Sequence, residues 1–525
     1  MKKNTLKKSL VLMLCTTILL GTMVGCSKKN IDTSGEKGNV GTTSNNETNN
    51  SKGGNYKKEI IIGLANTFTV ADPQATASIT NTTLYKITHS TLIEWDYDMN
   101  DYVCDLAESY EIVDPQTYIF HLNQNAYFHN GEPVTAEDII YTFKRAEDSS
   151  YTSAKVAVIK EMNAIDSNTI EFKLTGPSTN FLFDLASPNM SILSKAAMDE
   201  LGDSGTMIGS GAYYYESIDF GNETNLFRFD KYFGEMPKTE KLTFRQYGED
   251  ATRVIALQTG EIDYCQTPST LDLDYIAQDD NLDLIQMDGT RLNYLVLNVS
   301  KEPFNNELVR QAMNYAVNKD DVLYAAGNGQ GSVWQSFVTP IGYGYSPVDG
   351  YNYNVEKAKE LLAQAGYADG FEFSVLAHDS TSRAIVPILQ AQYAEIGIKM
   401  NISEVETALR NSMIKNNEHE ACMAAHVSDV SADSNMRILW YTGFANNRMQ
   451  YSNARVDELL DSALIEQDEA KRLEMYKEIQ EITVEDAACV PLYVETQNIA
   501  KKKSLNGIKI NATGCHDFTY AYILE

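Results

Sequence analysis

The chain changes character once, at Lys58. From there to the C-terminus, strand-like and helix-like segments alternate through 468 of the 525 residues with no second low-complexity break. A mixed chain of that length cannot fold around one core, because single cores stop growing at about 250–300 residues. Two or three α/β domains are therefore expected. A hydrophobic share of 43% and 31 Tyr, 18 Phe and 3 Trp supply enough apolar bulk to fill them.

Charge removes several functions. With 43 Lys+Arg against 72 Asp+Glu the net charge is −29. Nucleic-acid binding needs a basic footprint to release counterions, and a grip on anionic lipid needs the same sign. Any membrane attachment must be covalent or hydrophobic.

The first residues read as an address and a tether. Lys2, Lys3, Lys7 and Lys8 precede an uncharged run from Ser9 to Gly25, the pattern of a secretory signal over residues 1–25. At 17 residues the run is short for a membrane span, which needs about 20. Residues 26–58 form a linker, and its Ser27–Asn55 stretch is rich in Asn, Thr, Ser, Gly, Lys and Glu. Such a stretch is a flexible coil with a root-mean-square reach of roughly 30 Å. Removal of 1–25 takes four lysines and no acid, leaving 39 basic against 72 acidic side chains, −33.

The body alternates. Residues 59–64 read as a buried strand, and 118–122 and 169–174 as half-exposed ones. Thr135 caps a helix with Asp138 three residues on. A helix near 251–259 stops at Gly260, a strand covers 294–299, and 308–317 carries one apolar helical face. Asn354 caps a helix that Gly366 ends, and a strand at 371–376 leads to a helix near 385–396. Two amphipathic helices lie near 454–465 and 469–484. Strand–loop–helix order of this kind implies βαβ units, whose strand C-ends line ligand crevices.

Signs of catalysis are missing. There is no GxSxG, and His419-Glu420 has Met423 where a zinc-protease helix needs its second His. The histidines at 89, 121, 129, 378, 419, 426 and 516 are scattered, and Gly327–Gly331 reads as a loop, not a nucleotide fingerprint. No metal site and no cofactor are implied. Cys104, Cys265, Cys422, Cys489 and Cys515 have no CxxC spacing and read as small buried hydrophobes, with one accidental disulfide as the alternative.

Several blocks then point one way. Leu106-Ala107-Glu108-Ser109-Tyr110, Tyr118–Leu122 and Phe128-His129-Asn130-Gly131-Glu132-Pro133-Val134-Thr135-Ala136-Glu137-Asp138-Ile139 resemble the signature of the oligopeptide/dipeptide-type extracytoplasmic solute-binding proteins of ABC importers. Ile208–Tyr213 resembles that family's GTGPY turn, with Ser210 for Thr and Ala212 for Pro. Leu257–Asp263, Val309–Ala312 with Tyr315–Val317, Ala358–Tyr367 and Val456–Leu460 match further blocks in order. Met23-Val24-Gly25-Cys26 resembles a lipobox, with Met23 departing from the usual leucine. Lipidation at Cys26 is one reading; a plain signal peptide that happens to contain a cysteine is the other.

The resemblance implies an α/β, type II periplasmic-binding-protein-like fold, with two lobes joined by a hinge and an extra domain inserted in the first. The expected boundaries are 59–96, 207–289 and 494–525 for the first lobe, 97–206 for the insert and 290–493 for the second lobe. It implies no enzyme but a monomeric binding protein that closes over a peptide and delivers it to an ABC permease and its ATPase subunits. On a Gram-positive cell, which has no periplasm, a lipid anchor on the outer face would retain it. The same scaffold could take a metal chelate, an opine or an oligosaccharide, or serve as a surface receptor or adhesin.

The resemblance also implies site residues. Peptide binders hold the ligand's α-ammonium with an aspartate shortly after a second-lobe strand, and Asp429 occupies that place. A carboxylate in a closed cleft makes a strong charge-assisted bond; the alternative is a solvated loop aspartate or cap. His378 and Arg383 follow a strand end, where Arg383 either meets a ligand carboxylate or forms a surface ion pair. Trp440 and Tyr441 suit an aromatic wall or core packing. Asn66, Thr67 and Phe68 lie in the first-lobe loop that faces the cleft in the family, and Asn298 ends a strand past the hinge, where it serves either ligand or lobe.

Overall fold

A computed structural model of the protein describes residues 55–76, 78–97, 99, 101–340, 342–428, 431–444 and 446–525. The signal segment, Cys26, most of the linker and Asp429 lie outside the described residues.

Two long antiparallel strands, Leu282–Leu297 and Cys489–Lys502, pair along most of their length and carry both lobes. Their register shifts between Asp288 and Leu292. A bulge of this kind bends a strand and increases its twist, so the lobes meet at a bend in one ladder. The sequence signal at 294–299 marks only the last quarter of the first strand. Its near half, with Asp283, Gln286 and Asp288, is too polar to stand out.

Beyond one end of the pair the sheet continues through Tyr264–Gln266, Glu59–Leu64, Lys241–Gln246, Glu223–Arg228 and Tyr213–Asp219, the first lobe. Glu59–Leu64 runs parallel to both neighbours. Strands of that type are covered on both faces, which accounts for the unbroken Ile60-Ile61-Ile62. At the other end lie Ala421–Val427, Glu372–Ala377 and Lys399–Glu404, the second lobe. Glu372–Ala377 and Lys399–Glu404 are parallel and joined by helix Ser380–Ala394, a βαβ unit. That helix starts earlier than its apolar face suggests because Asp379 caps it, accepting from the Ser382 N–H at 2.7 Å. Cys265, Cys422 and Cys489 are buried, unpaired thiols as expected, whereas Cys515 is only half-buried and Cys104 is disulfide-bonded.

The insert has its own antiparallel sheet, in spatial order Ala107–Asp114, Thr117–Leu122, Thr169–Leu174, Ile159–Asp166. Tyr118, Phe120 and Leu122 are buried and alternate with half-exposed residues, as the sequence pattern requires. They pack with Phe143 of helix Ala136–Ala146 in a core separate from those of the lobes. Thr135 and Asp138 form the capping box of that helix.

A tight joint fixes the insert to the first lobe. His89, at the C-terminus of helix Ile79–Thr88, has Nε2 2.9 Å from the Thr206 carbonyl, and His129 Nε2 lies 3.0 Å from that of Gly211. Both nitrogens face carbonyls, so each ring is a neutral donor there. Burial pushes His89 down to about 4 and His129 to about 3. Gly209 allows the close approach: a Cβ there would lie 2.0 Å from the Thr88 carbonyl oxygen. The GTGPY-like turn is thus a packing seam.

Candidate functional site

The C-ends of Glu372–Ala377, Lys399–Glu404 and Ala421–Val427 open on one edge of the second lobe. Opposite Val427 and Ser428 stands helix Ile79–Thr88 of the first lobe, and the insert closes the side. A chamber of about 380 Å³ lies between them, lined among others by Thr82, Lys86, Trp95, Phe183 and Ser428. That volume falls within the range of small-molecule sites. Ser428 is held in place by its N–H to the Thr290 carbonyl (2.9 Å) and its hydroxyl to that of Phe337 (3.2 Å). Lys86 sits 3.4 Å from Glu94. Burial works against its charge, but Glu94 and Asp517 outweigh burial and hold the ammonium well above its ordinary pKa. The chamber wall is therefore charged at neutral pH.

Trp95 and Phe183 also line a second chamber of about 330 Å³ between the insert and the second lobe. Tyr102, Tyr118, Tyr343, Arg472 and Tyr476 contribute to it. The two chambers together make one cleft with contributions from both lobes and the insert.

Hydrogen bonds between the insert and the second lobe bridge the cleft as a latch. Thr179 N–H donates to the Leu464 carbonyl at 2.8 Å, and Asn180 Nδ2 to Asp433 Oδ2 at 3.0 Å. Asp433 is preorganised to accept, since Arg437 grips both its oxygens at 3.0 Å from one turn away. Burial disfavours the Arg437 charge, but Asp433 and Asp461 hold its pKa above the ordinary value.

Among the residues expected from sequence, Asp429 lies outside the described residues. Its nearest described neighbours are informative: Ser428 lines the first chamber and Ser431 the second. Arg383 is exposed and pairs with Glu404 at 3.0 Å. His378 Nε2 stands 3.4 Å from Asp379; burial and Arg410 push its pKa down, with Asp379 opposing. Trp440 is 1% exposed and packs against Phe337 and Tyr451 in the second-lobe core. Tyr441 donates to Asp461 at 2.9 Å, with the Arg437 guanidinium 4.9 Å above its ring, so it braces the latch. Asn66 is exposed; Thr67 accepts from Gly221 N–H at 2.6 Å; Phe68 packs on Phe244. Asn298 is fully buried and bonds Asn417 and the His419 carbonyl, a second-lobe fastening. None of these eight lines either chamber.

Lys86, Trp95, Phe183, Tyr343 and Arg472 were not expected. They come from four distant stretches, and no local pattern links them.

Comparison with known proteins agrees with this geometry. The family model described as bacterial extracellular solute-binding proteins, family 5 Middle, matches residues 101–448. The dipeptide-binding protein of Escherichia coli is 28% identical over 469 residues, covering 82% of this chain and 88% of its own. Among solved structures, the ABC transporter-associated periplasmic binding protein DppA of Helicobacter pylori, in complex with peptide STSA, superposes with a TM-score of 0.77 at 26% identity. It covers 89% of this chain and 98% of its own. The A. tumefaciens protein AgaA in complex with agropinic acid superposes with 0.74 at 26% identity, covering 89% and 99%.

Proposed function

The chain belongs to the bacterial extracellular solute-binding proteins of family 5, and from that premise we propose that its cleft captures short peptides for import. Members of this family are binding proteins that deliver a solute to an ABC transporter; they are not enzymes. The observation that carries the peptide reading is the cleft itself. It opens at strand C-ends beside Ser428, draws walls from both lobes and the insert, and has two chambers sharing Trp95 and Phe183 instead of one compact socket. The dipeptide-binding relative and the structure holding STSA support the same ligand class.

Capture works by closure. The first lobe and the insert move as one body about the bend in the long strands, and the latch forms when the second lobe arrives. A ligand shifts that equilibrium only by its greater affinity for the closed form. Asp429 is the anchor for the α-ammonium. Calorimetric titration with di- to pentapeptides tests this: Asp429→Asn is expected to weaken binding about tenfold to a hundredfold, the range for a hydrogen bond to a charged group. Unchanged peptide affinity in that variant would remove ammonium capture from the mechanism.

A second ligand class has one specific support, the equal 26% identity to the agropinic acid complex. Native mass spectrometry of freshly purified protein separates the two by the mass of whatever co-purifies.

The protein's place is the outer face of the cell membrane, held by lipid on Cys26 and let out on the polar linker. Loss of membrane fractionation in Cys26→Ser tests the anchor; an unchanged distribution would overturn it.

A further inference from the structure

The second chamber holds a cation that forms no ion pair among the described residues. Arg472, half-buried on helix Glu469–Glu485, donates to the Glu466 carbonyl at 2.7 Å and to the Tyr343 hydroxyl at 2.8 Å. Its guanidinium carbon lies 5.5 Å from the centroid of the Tyr343 ring. Among the described residues no carboxylate comes within 4.0 Å of it, whereas Arg437 nearby is paired twice. Tyr102 and Tyr476 line the same chamber. Burial raises the pKa of Tyr102 and Tyr476, and the Arg472 charge acts against that rise in both.

Two bonds and a nearby aromatic ring hold the guanidinium in place while leaving donors unused, for it has five. A planar fork held in this way suits a carboxylate, which it can grip bidentately. Two acids line the same chamber, Asp101 and Glu469, but both are exposed. Asp101 accepts from Tyr102 N–H at 2.8 Å and Glu469 from the Tyr343 hydroxyl at 3.3 Å. Water screens such rim charges more than it screens a half-buried guanidinium.

We propose that this chamber is a subsite for a carboxylate of the bound solute, with Arg472 as its cationic contact and Tyr343 as the group that orients Arg472. The inference rests on the peptide reading and sharpens it. The carboxylate is either the peptide C-terminus or an acidic side chain. Because Trp95 and Phe183 line both chambers, a ligand reaches Arg472 by running past these two rings from the first chamber. Solutes that end before them gain nothing from the arginine.

Titration of wild type, Arg472→Gln, Arg472→Lys and Tyr343→Phe tests this with two- to five-residue peptides. Each peptide is offered as free acid and as C-terminal amide, and with Glu or Gln at interior positions. Wild type is expected to prefer one acid form over its neutral counterpart by about tenfold to a hundredfold. Arg472→Gln abolishes that preference by weakening the acid alone, Arg472→Lys restores part of it, and Tyr343→Phe loses less. Amide sensitivity identifies the C-terminus, and Glu-to-Gln sensitivity the side chain. Equal binding of acid and neutral forms by wild type, or an Arg472→Gln variant that keeps the preference, would overturn the subsite.

Failure of the peptide reading looks different. In that case no peptide binds wild type, and the variants are titrated with opines as carboxylate probes. A selective loss in Arg472→Gln then upholds the subsite, and none defeats it. Unchanged circular dichroism and melting of the unliganded variants exclude misfolding as the cause.

Discussion

Against the first lobe the insert is held by buried contacts: His89 on the Thr206 carbonyl, His129 on that of Gly211, and Arg145 on Asp72 and Gln74. Against the second lobe, among the described residues, Thr179 and Asn180 make its hydrogen bonds to Leu464 and Asp433. The first contact is continuous packing that admits no side chain at Gly209. The second is a few hydrogen bonds whose partners are already satisfied by Arg437 or end a helix. In the closure proposed above, an insert packed on one lobe and hydrogen-bonded to the other travels with the first.

Acid should discriminate most strongly between the two. His89 and His129 protonate near pH 6.5 when unfolded but only near 4 and 3 in the fold. The stability they contribute is whole above pH 6.5 and is lost as pH falls. At pH 5 the loss is about 2 kcal/mol per ring, so about 4 kcal/mol at the joint. Hydrogen exchange at 206–211 should accelerate between pH 7 and 5; unchanged protection there would break the comparison.

Gly209→Ala attacks the same seam from packing. Its Cβ would sit 2.0 Å from the Thr88 carbonyl oxygen and 2.8 Å from the His89 ring. A destabilisation of about 3 kcal/mol is expected in denaturant unfolding, the upper end for an overpacked site.

The latch should behave in the opposite manner. In the proposed closure the Asn180–Asp433 bond forms as the cleft shuts, so Asn180→Ala is expected to lower solute affinity about tenfold and leave the melting temperature of the unliganded protein the same. A drop in that melting temperature would show that the latch is a structural joint after all.

Arg383→Ala should do least. Its pair with Glu404 is exposed on both sides, 45% and 62%, and such pairs contribute about 0–1 kcal/mol. A large loss of affinity in this variant would return Arg383 to the ligand site.

Much of the fold was readable from local patterns because local physics makes them. Alternating burial marks Thr117–Leu122, caps mark Thr135 and Asn354, and Gly366 at φ 87° stops its helix as expected. The length of Leu282–Leu297 was not readable, since half of it carries polar residues on a half-exposed face. The cleft was least readable. Trp440 looks the same in sequence whether it faces a ligand or, as here, Phe337 and Tyr451. Arg472 lies on a helix whose residues 473 and 474 are exposed, and its role depends on Tyr343, which comes into range only through tertiary packing.

The long ladder has a thermodynamic consequence. Because Leu282–Leu297 and Cys489–Lys502 belong to the cores of both lobes at once, neither lobe can melt without fraying strands that the other needs. Calorimetry should therefore record one endotherm for the two lobes together, with matching van't Hoff and measured enthalpies. A clamshell of this build gives up its two halves simultaneously, however freely they swing.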